Sequence, residues 1–441
     1  MISPPVPSVA ALPWAALSDP TFSQRRVRLT VGFLATAVAV EFFHRQMVAV
    51  AIEPLRLELG FTDTQAGAFI FAFAVGYAVF ALVLGRLADR GSRRSIYALG
   101  IAVWSVATAL GAAVSGFALF TLTRLAAGAA QGASGACNGP LVADYVKPER
   151  RSGAMALVAV GAAFGVVGAL TGGAWAMQTF GWRGAFVWAG ALGVAFSLLF
   201  AAVVREPPRG WSEGRTPQTG ERPSLAEGLR VIWATPALRH TVAAAMLGNT
   251  ALLAPAQWGP AFFMRAHHMA LADAGIAGGV AALFAVIGGV AGGILADRAW
   301  LSDARNALRI PGMTALLAAP LCFVAFRVPG AWTSIVLLVL ATGLGMMHSA
   351  PAGAVLQGLA PLRTRALISG VINALLTLAG MGLGPLLMGW LSDLFGASAN
   401  GVGLARALSL TSILYAWAGV HLLLAARTLV PDLERARAAD A

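Results

Sequence analysis

The sequence predicts an all-α polytopic membrane protein, with twelve transmembrane helices in two pseudo-symmetric six-helix bundles. Three observations predict it. Of 441 residues, 58% are hydrophobic and only 11% charged, against about 25% charged in soluble domains. Apolar runs recur between short polar breaks from about position 28 to 428, and at roughly 20 residues per ~30 Å crossing twelve of them fit. Related loop sequences close the second and the eighth run, half a chain apart. Unbroken apolar runs also exclude a transmembrane β-barrel, whose strands alternate.

Residues 1–27, with Pro4, Pro5, Pro7, Pro13 and Pro20 and no basic start before an apolar core, read as a flexible tail. Spans 28–52, 66–84, 95–113, 117–146, 151–178 and 184–204 form an N-terminal bundle, 28–204. A linker, 205–235, opens with the polar break Arg205–Ser224, rich in proline, glycine and mixed charge. Its second part places Leu225, Leu229, Ile232 and Trp233 at helical spacing, which predicts a short interfacial helix. Spans 236–265, 272–296, 309–328, 331–358, 364–391 and 404–428 form the C-terminal bundle, 236–428. Residues 429–441 are expected as a second tail.

An even number of spans puts both termini on one side. That side collects Arg25, Arg26 and Arg28, then Arg86, Arg90, Arg93 and Arg94, then Lys147, Arg150 and Arg151, and all the linker arginines. The other side holds Arg56, Arg183, Arg265, Arg327 and Arg406. By the positive-inside rule both termini are expected in the cytoplasm, and the protein in the inner (plasma) membrane. The net charge of +12 is therefore topology, and no nucleic-acid partner is expected. Cys137 and Cys322 lie inside apolar runs, and no P-loop, H-E-x-x-H or G-x-S-x-G pattern occurs. No cofactor, metal site or enzymatic activity is expected, and the chain is expected to be a monomer.

Gly85-Arg-Leu-Ala-Asp89-Arg90 ends the second span and Gly293-Ile-Leu-Ala-Asp297-Arg298 the eighth. Two parallel six-span halves place a substrate site between them near the midplane, so the repeat implies a transporter. The stretch Gly85 to Arg94 resembles the signature loop of the major facilitator superfamily. That resemblance implies a conformational latch made by Gly85, Asp89 and Arg93 with Asp144 at the inner end of span 4, echoed by Asp297. Arg124-x-x-x-Gly128 and Gly181-Trp182-Arg183 are similar to further motifs of the family. His44-Arg45-Gln46, Thr64-Gln65-Ala66-Gly67, Ala143-Asp144-Tyr145, Arg205-Glu206-Pro207-Pro208 and Leu391-Ser392-Asp393 resemble its bacterial Spinster-like branch. The branch implies a lysophospholipid or another lipid-like anion as substrate.

Span 1 carries Glu41, His44 and Arg45, and an arginine at a helix centre costs about 2.5–3.5 kcal/mol on the mildest insertion scale. Glu41 and Arg45 are four apart with the acid first, a favourable pair. Arg45 and Arg124 both lie seven residues from the outer ends of their spans, about 10 Å deep at 1.5 Å per residue, so they can converge. On span 4, Arg124, Gly128, Gln131, Gly135 and Asn138 share one face. Spinster-like transporters usually carry an Asp where this chain has His44 and a Glu where it has Gln131. Glu41 is then expected as the only acid well inside the membrane, and Glu41 and His44 are the candidates for proton coupling. Two arginines against one glutamate leave a positive excess that an anionic substrate would match. In the second half, Asn249, Gln257, His348 and Asn373 are the candidate polar contacts. The expected function is alternating-access transport of an anionic amphipathic molecule. A small organic-anion transporter, an uncoupled facilitator and a non-transporting receptor on the same fold are the rivals.

Overall fold

The computed structural model describes residues 23–207, 224–361, 363–396 and 400–440. Most of the expected N-terminal tail and much of the linker lie outside the described residues. The described chain is helical throughout, with no strand among the described residues. Span 1 (Gln24–Leu59) starts at Ser23, whose hydroxyl accepts the Arg26 N–H. Span 2 (Asp63–Arg90) starts with a capping box in which the Thr62 and Gln65 side chains satisfy each other's backbone N–H groups. Span 3 (Arg93–Gly111) and span 4 (Phe117–Tyr145) follow. Pro148–Gly168, a π turn over Ala169–Gly173, and Ala174–Val203 then run on until Gly181 turns the chain. Its φ of 71° and ψ of 163° belong to a region that side chains exclude, so this glycine divides span 5 from span 6.

A short helix is present at Leu225–Ala234, where one was expected, capped by the Ser224 hydroxyl. Span 7 (Pro236–His267), span 8 (Leu271–Trp300) and span 9 (Asn306–Ala325) are single helices. Spans 10 and 11 are interrupted where continuous helices were expected. Span 10 breaks between Ala331–Met346 and Ser349–Leu359, and span 11 passes through a π segment, Thr377–Leu383, between Arg365–Leu376 and Gly384–Leu394. Span 12 comprises Val402–Ser409 and Thr411–Asp440. Residues 429–440, expected as a tail, continue this helix. Asp432 explains why: its carboxylate accepts the Ala237 N–H at 2.8 Å, docking the last turns on the start of span 7.

Nine helices of the described chain are long and apolar enough to cross a membrane. Phe117–Tyr145 and Pro236–His267 are equally long but not among them. These two carry Arg124, Gln131 and Asn138, and Asn249 and Gln257, which a helix can bear only on a face turned away from lipid. In the first half span 2 packs on span 4, span 3 on spans 4 and 6, and span 1 on span 5. In the second half span 12 packs on spans 7 and 9, and span 10 on spans 8 and 9. The halves meet where span 2 lies against span 11, span 1 against span 7, and span 5 against span 8.

On the face opposite the termini the halves meet backbone to backbone. A Cβ at Gly67 would stand 2.6 Å from the Leu386 Cα, and one at Gly389 only 2.2 Å from the Asp63 carbonyl oxygen. Glu53 and Asp63, expected in the loop between spans 1 and 2, are instead helical and buried. This corrects the expectation that Glu41 is the only deep acid. The cause is Arg265, 4% exposed, on span 7. Its guanidinium grips Asp63 with both Nη atoms, at 2.8 and 2.9 Å, while Nε donates to Glu53 at 2.5 Å. From span 11, Ser392 donates to Asp63 at 2.6 Å, and Asp393 accepts the Thr64 N–H at 2.7 Å and its hydroxyl at 2.5 Å. Asp393 thus caps span 2 across the interface between the halves.

Replacing Arg265 by Leu strands the buried Asp63 and leaves Glu53 only its pair with Arg56, at 2.5 Å on its own helix. Loss of one partner from such a set costs about 3–5 kcal/mol. The variant is expected to open the face opposite the termini, seen as a longer spin-label distance between spans 2 and 11 there. An unchanged distance would mean that the glycine contacts hold the halves together without the ion pairs.

Candidate functional site

Span 1 contributes Arg45 to the centre of the molecule because its Glu41, one turn earlier, binds it. The two form a buried ion pair. Gln131 of span 4 completes the group: its Oε1 accepts from Arg45 Nε at 3.3 Å and Nη2 at 3.1 Å, and its Nε2 donates to the Glu41 carbonyl at 3.4 Å. Three rings flank the guanidinium, with Phe42 at 4.5 Å, Tyr77 at 5.3 Å and Phe73 at 5.5 Å from their centroids. Arg45 also reaches across the halves to the Met381 sulfur at 3.6 Å. The position that the Spinster-like pattern gives to a glutamate is thus held here by an amide that bridges an existing pair.

Arg124 is placed differently. It is 2% exposed, and among the described residues no carboxylate pairs with it. One Nη donates weakly to the Ala107 carbonyl at 3.4 Å, the rings of Phe120 and Phe186 stand at 5.5 and 5.8 Å, and Nε has no partner. Arg45 and Arg124 line one narrow cavity of about 20 Å3, with Val48, Phe69, Ile70, Phe73, Met381 and Gln257. Gln257 comes from span 7 and its buried Oε1 is also without a partner. The cavity lies between the halves, bounded by spans 1, 2, 4, 7 and 11. It combines two guanidinium groups and an amide with an apolar wall, a set that can bind an anionic head beside an apolar body.

The other candidates separate. Asn138, two turns further along span 4, is buried with Oδ1 unpartnered, outside the residues that line the cavity. Gly128 and Gly135 admit span 2, since Cβ atoms there would meet the Phe73 carbonyl oxygen at 2.0 Å and the Tyr77 hydroxyl at 2.8 Å. His44 faces spans 3 and 6: its Nδ1 lies 2.8 Å from the Val40 carbonyl oxygen and its Nε2 3.1 Å from that of Ala189. A neutral ring donates to one of these, an imidazolium to both. Asn249 donates to the Leu376 carbonyl, at the mouth of the π segment of span 11. His348 holds the Gly345 carbonyl at 2.6 Å beside the break in span 10. Asn373 is exposed. Of the four second-half candidates, the cavity takes only Gln257.

At the terminal face Arg93 and Asp144 form an ion pair inside the first half. Asp89 and Asp297 are exposed at the ends of spans 2 and 8, and Gly85 is half-buried. Sequence reasoning missed Glu206 in this group. Its carboxylate accepts the N–H groups of Arg93 and Arg94 at 3.0 and 2.8 Å and the Ser92 hydroxyl at 2.8 Å. It thereby caps span 3 and ties the end of span 6 to the signature loop. The missed signal was the i, i+1 pair of free N–H groups opening span 3 next to an acid just past the end of span 6.

Two six-helix halves closed over a polar cavity define a polytopic membrane transporter, a class without enzymatic chemistry. A Major Facilitator Superfamily profile matches residues 34–385, and the chain belongs to that family. It is 31% identical over 399 residues to an MFS-type efflux pump of Mycolicibacterium smegmatis, covering 88% of this chain and 89% of that protein. It is 24% identical over 388 residues to a probable L-galactonate transporter of Escherichia coli, with 84% of each covered. In fold it resembles the crystal structure of a bacterial homologue of the human lysosomal transporter Spinster in an inward-facing, occupied conformation. The TM-score is 0.82 at 22% identity, over 93% of this chain and 99% of that one.

The two arginines should separate in mutagenesis. Arg45→Met leaves Glu41 buried alone and is expected to lower stability by about 3–5 kcal/mol. Arg124→Met removes a buried charge that has no counter-ion and is expected to leave the melting temperature equal or higher. A large loss of stability in Arg124→Met would assign that residue to the scaffold.

Proposed function

We propose that this protein is an alternating-access transporter of an anionic amphipathic molecule, whose head binds between Arg124, Arg45 and Gln257. The observation that carries this is Arg124: a buried guanidinium with an unpartnered Nε, in a cavity that also holds an unpartnered amide oxygen. A charge in that position is costly without a counter-ion, and the substrate's anionic group is the natural one. Phe69, Ile70, Phe73 and Met381 would face its apolar part. A lysophospholipid far exceeds the cavity's volume of about 20 Å3, so the halves would have to part to admit it, with its acyl chain leaving toward the terminal face, where they are not joined by the seal of Arg265.

The positive-inside charge distribution supports a cytoplasmic terminal face and an inner-membrane location. On that orientation the seal of Arg265 shuts the cavity off from the outside. Glu41 is the candidate proton carrier, because it is the one carboxylate beside the cavity arginines. His44 is set back behind span 1 and contributes less to this reading. The Arg93–Asp144 pair with Asp89 and Gly85 would latch the terminal face once the halves close there, with Asp297 as the counterpart in the second half. A second reading, transport of a small organic anion, is favoured by the modest cavity and by the sugar-acid transporter among the relatives.

Flux of labelled lysophosphatidylglycerol and of labelled L-galactonate into proteoliposomes, with and without a pH gradient, tests both. Lipid flux that Arg124→Met abolishes supports the first reading, and galactonate flux alone the second. Flux accelerated by the gradient in the wild type and not in Glu41→Gln assigns coupling to Glu41. Gradient-indifferent flux makes the protein a facilitator.

A further inference from the structure

A second concave site lies on the outside of the first half, away from the cavity. Where span 1 begins, Arg25 and Arg28 stand over a groove of about 700 Å3 floored by Gly32, Thr36, Phe33 and Phe196. Further along the same seam a second hollow of about 290 Å3 runs between spans 1, 5 and 6, lined by Val40, Phe43, Gly165 and Gly193. The two follow one another along the same faces of spans 1 and 6. On span 1 positions 25, 28, 32, 36, 39 and 43 recur every three or four residues and so share a face. On span 6 positions 199, 196, 192 and 189 do the same.

The furrow is shaped by small residues. A Cβ at Gly32 would meet nothing within 4 Å, so the space above it is open. Gly165 brings span 5 in against span 1, where a Cβ would stand 2.2 Å from the Ala39 carbonyl oxygen, and Gly193 brings span 6 in against spans 3 and 1, where a Cβ would stand 2.2 Å from the Ser105 hydroxyl and 3.0 Å from His44 Cε1. The walls are apolar and lipid-facing, with Leu192 and Phe164 exposed. The mouth is different in kind: Arg25 and Arg28 are exposed, and among the described residues neither has a carboxylate partner. Positive charge at the head of an apolar furrow is complementary to one component of the bilayer, a phospholipid with an anionic headgroup. A zwitterionic lipid would fill the furrow equally well but would leave the two guanidinium groups unmatched.

We infer that this seam binds an anionic phospholipid of the surrounding leaflet, with its phosphate at Arg25 and Arg28 and an acyl chain along spans 1, 5 and 6. The site is independent of the substrate cavity, since no residue is shared between the two linings. Its occupant bridges span 1 and span 6, and so steadies the first half.

The full-length protein in nanodiscs or detergent tests it, with phosphatidylglycerol and phosphatidylcholine as probes and native mass spectrometry counting retained lipid. The wild type is expected to retain phosphatidylglycerol preferentially, and Arg25→Gln/Arg28→Gln to lower that preference about tenfold, toward that of phosphatidylcholine. Arg230→Gln/Arg239→Gln removes equal charge elsewhere on the terminal face and should change nothing. Gly32→Leu fills the furrow in open space and should lower retention of both lipids without unfolding the protein. Equal retention of the two lipids by the wild type would overturn the inference. So would an equal loss in the Arg25/Arg28 and Arg230/Arg239 variants, which would reduce the effect to general surface charge.

Discussion

A guanidinium carried into a hydrocarbon layer cannot stay alone at reasonable cost, and three arginines of this chain meet that constraint in three ways. Arg265 takes two carboxylates, Glu53 and Asp63, and by doing so joins span 7 to spans 1 and 2. Arg45 takes one, Glu41, from its own helix. Arg124 takes none among the described residues, only a carbonyl and two ring faces. The series runs from the face opposite the termini to the central cavity. Charge matching is complete where the halves are closed and incomplete where a cavity has been left.

That arrangement links the fold to the proposed cycle. The seal has to come apart for the cavity to open on the face opposite the termini. It is made of groups that water would solvate well once exposed, so opening exchanges buried ion pairs for hydration. Gly67 and Gly389 add close backbone contact, which is lost at the first ångström of separation. An interface of this kind has two states and little between, which suits rocking of one half against the other. The interrupted helices lie where such motion would be absorbed: the π segment of span 11 faces both span 2 and span 7.

What could be read from the sequence follows from the range of each interaction. The number of spans, the duplication and the short helix before span 7 rest on local hydropathy and repeat, and the structure has them. The Glu41–Arg45 pair is one helical turn and needs no tertiary knowledge. The approach of Arg45 to Arg124 was legible because both depths could be counted from span ends. Arg265 with Asp63 was not, because the partners lie in different halves and their meeting depends on how those halves dock. Asp63 falls in an external loop and Arg265 at the outer end of span 7, where a charged residue needs no partner. The side chains of Asn249, His348 and His44 were open to either reading, since a polar residue inside a span looks the same whether it serves a ligand or a neighbouring carbonyl. The structure spends Asn249 and His348 on carbonyls beside helix interruptions, features with no hydropathy signature.

Gln131 shows how these levels combine. A glutamate at that position would sit against Arg45 and compete with Glu41 for the same guanidinium, leaving the pocket neutral overall once Arg124 is counted. The amide instead accepts from Arg45 and donates to the Glu41 backbone without adding charge. The pair of Glu41 and Arg45 is thereby self-sufficient, and the uncompensated positive charge is transferred wholly to Arg124. On the proposed reading, one substitution of oxygen by nitrogen sets where in the cavity an anion would be needed, beside Gln257 of the opposite half. An anion held there touches both halves at once, which is the condition for its binding to bear on how they move.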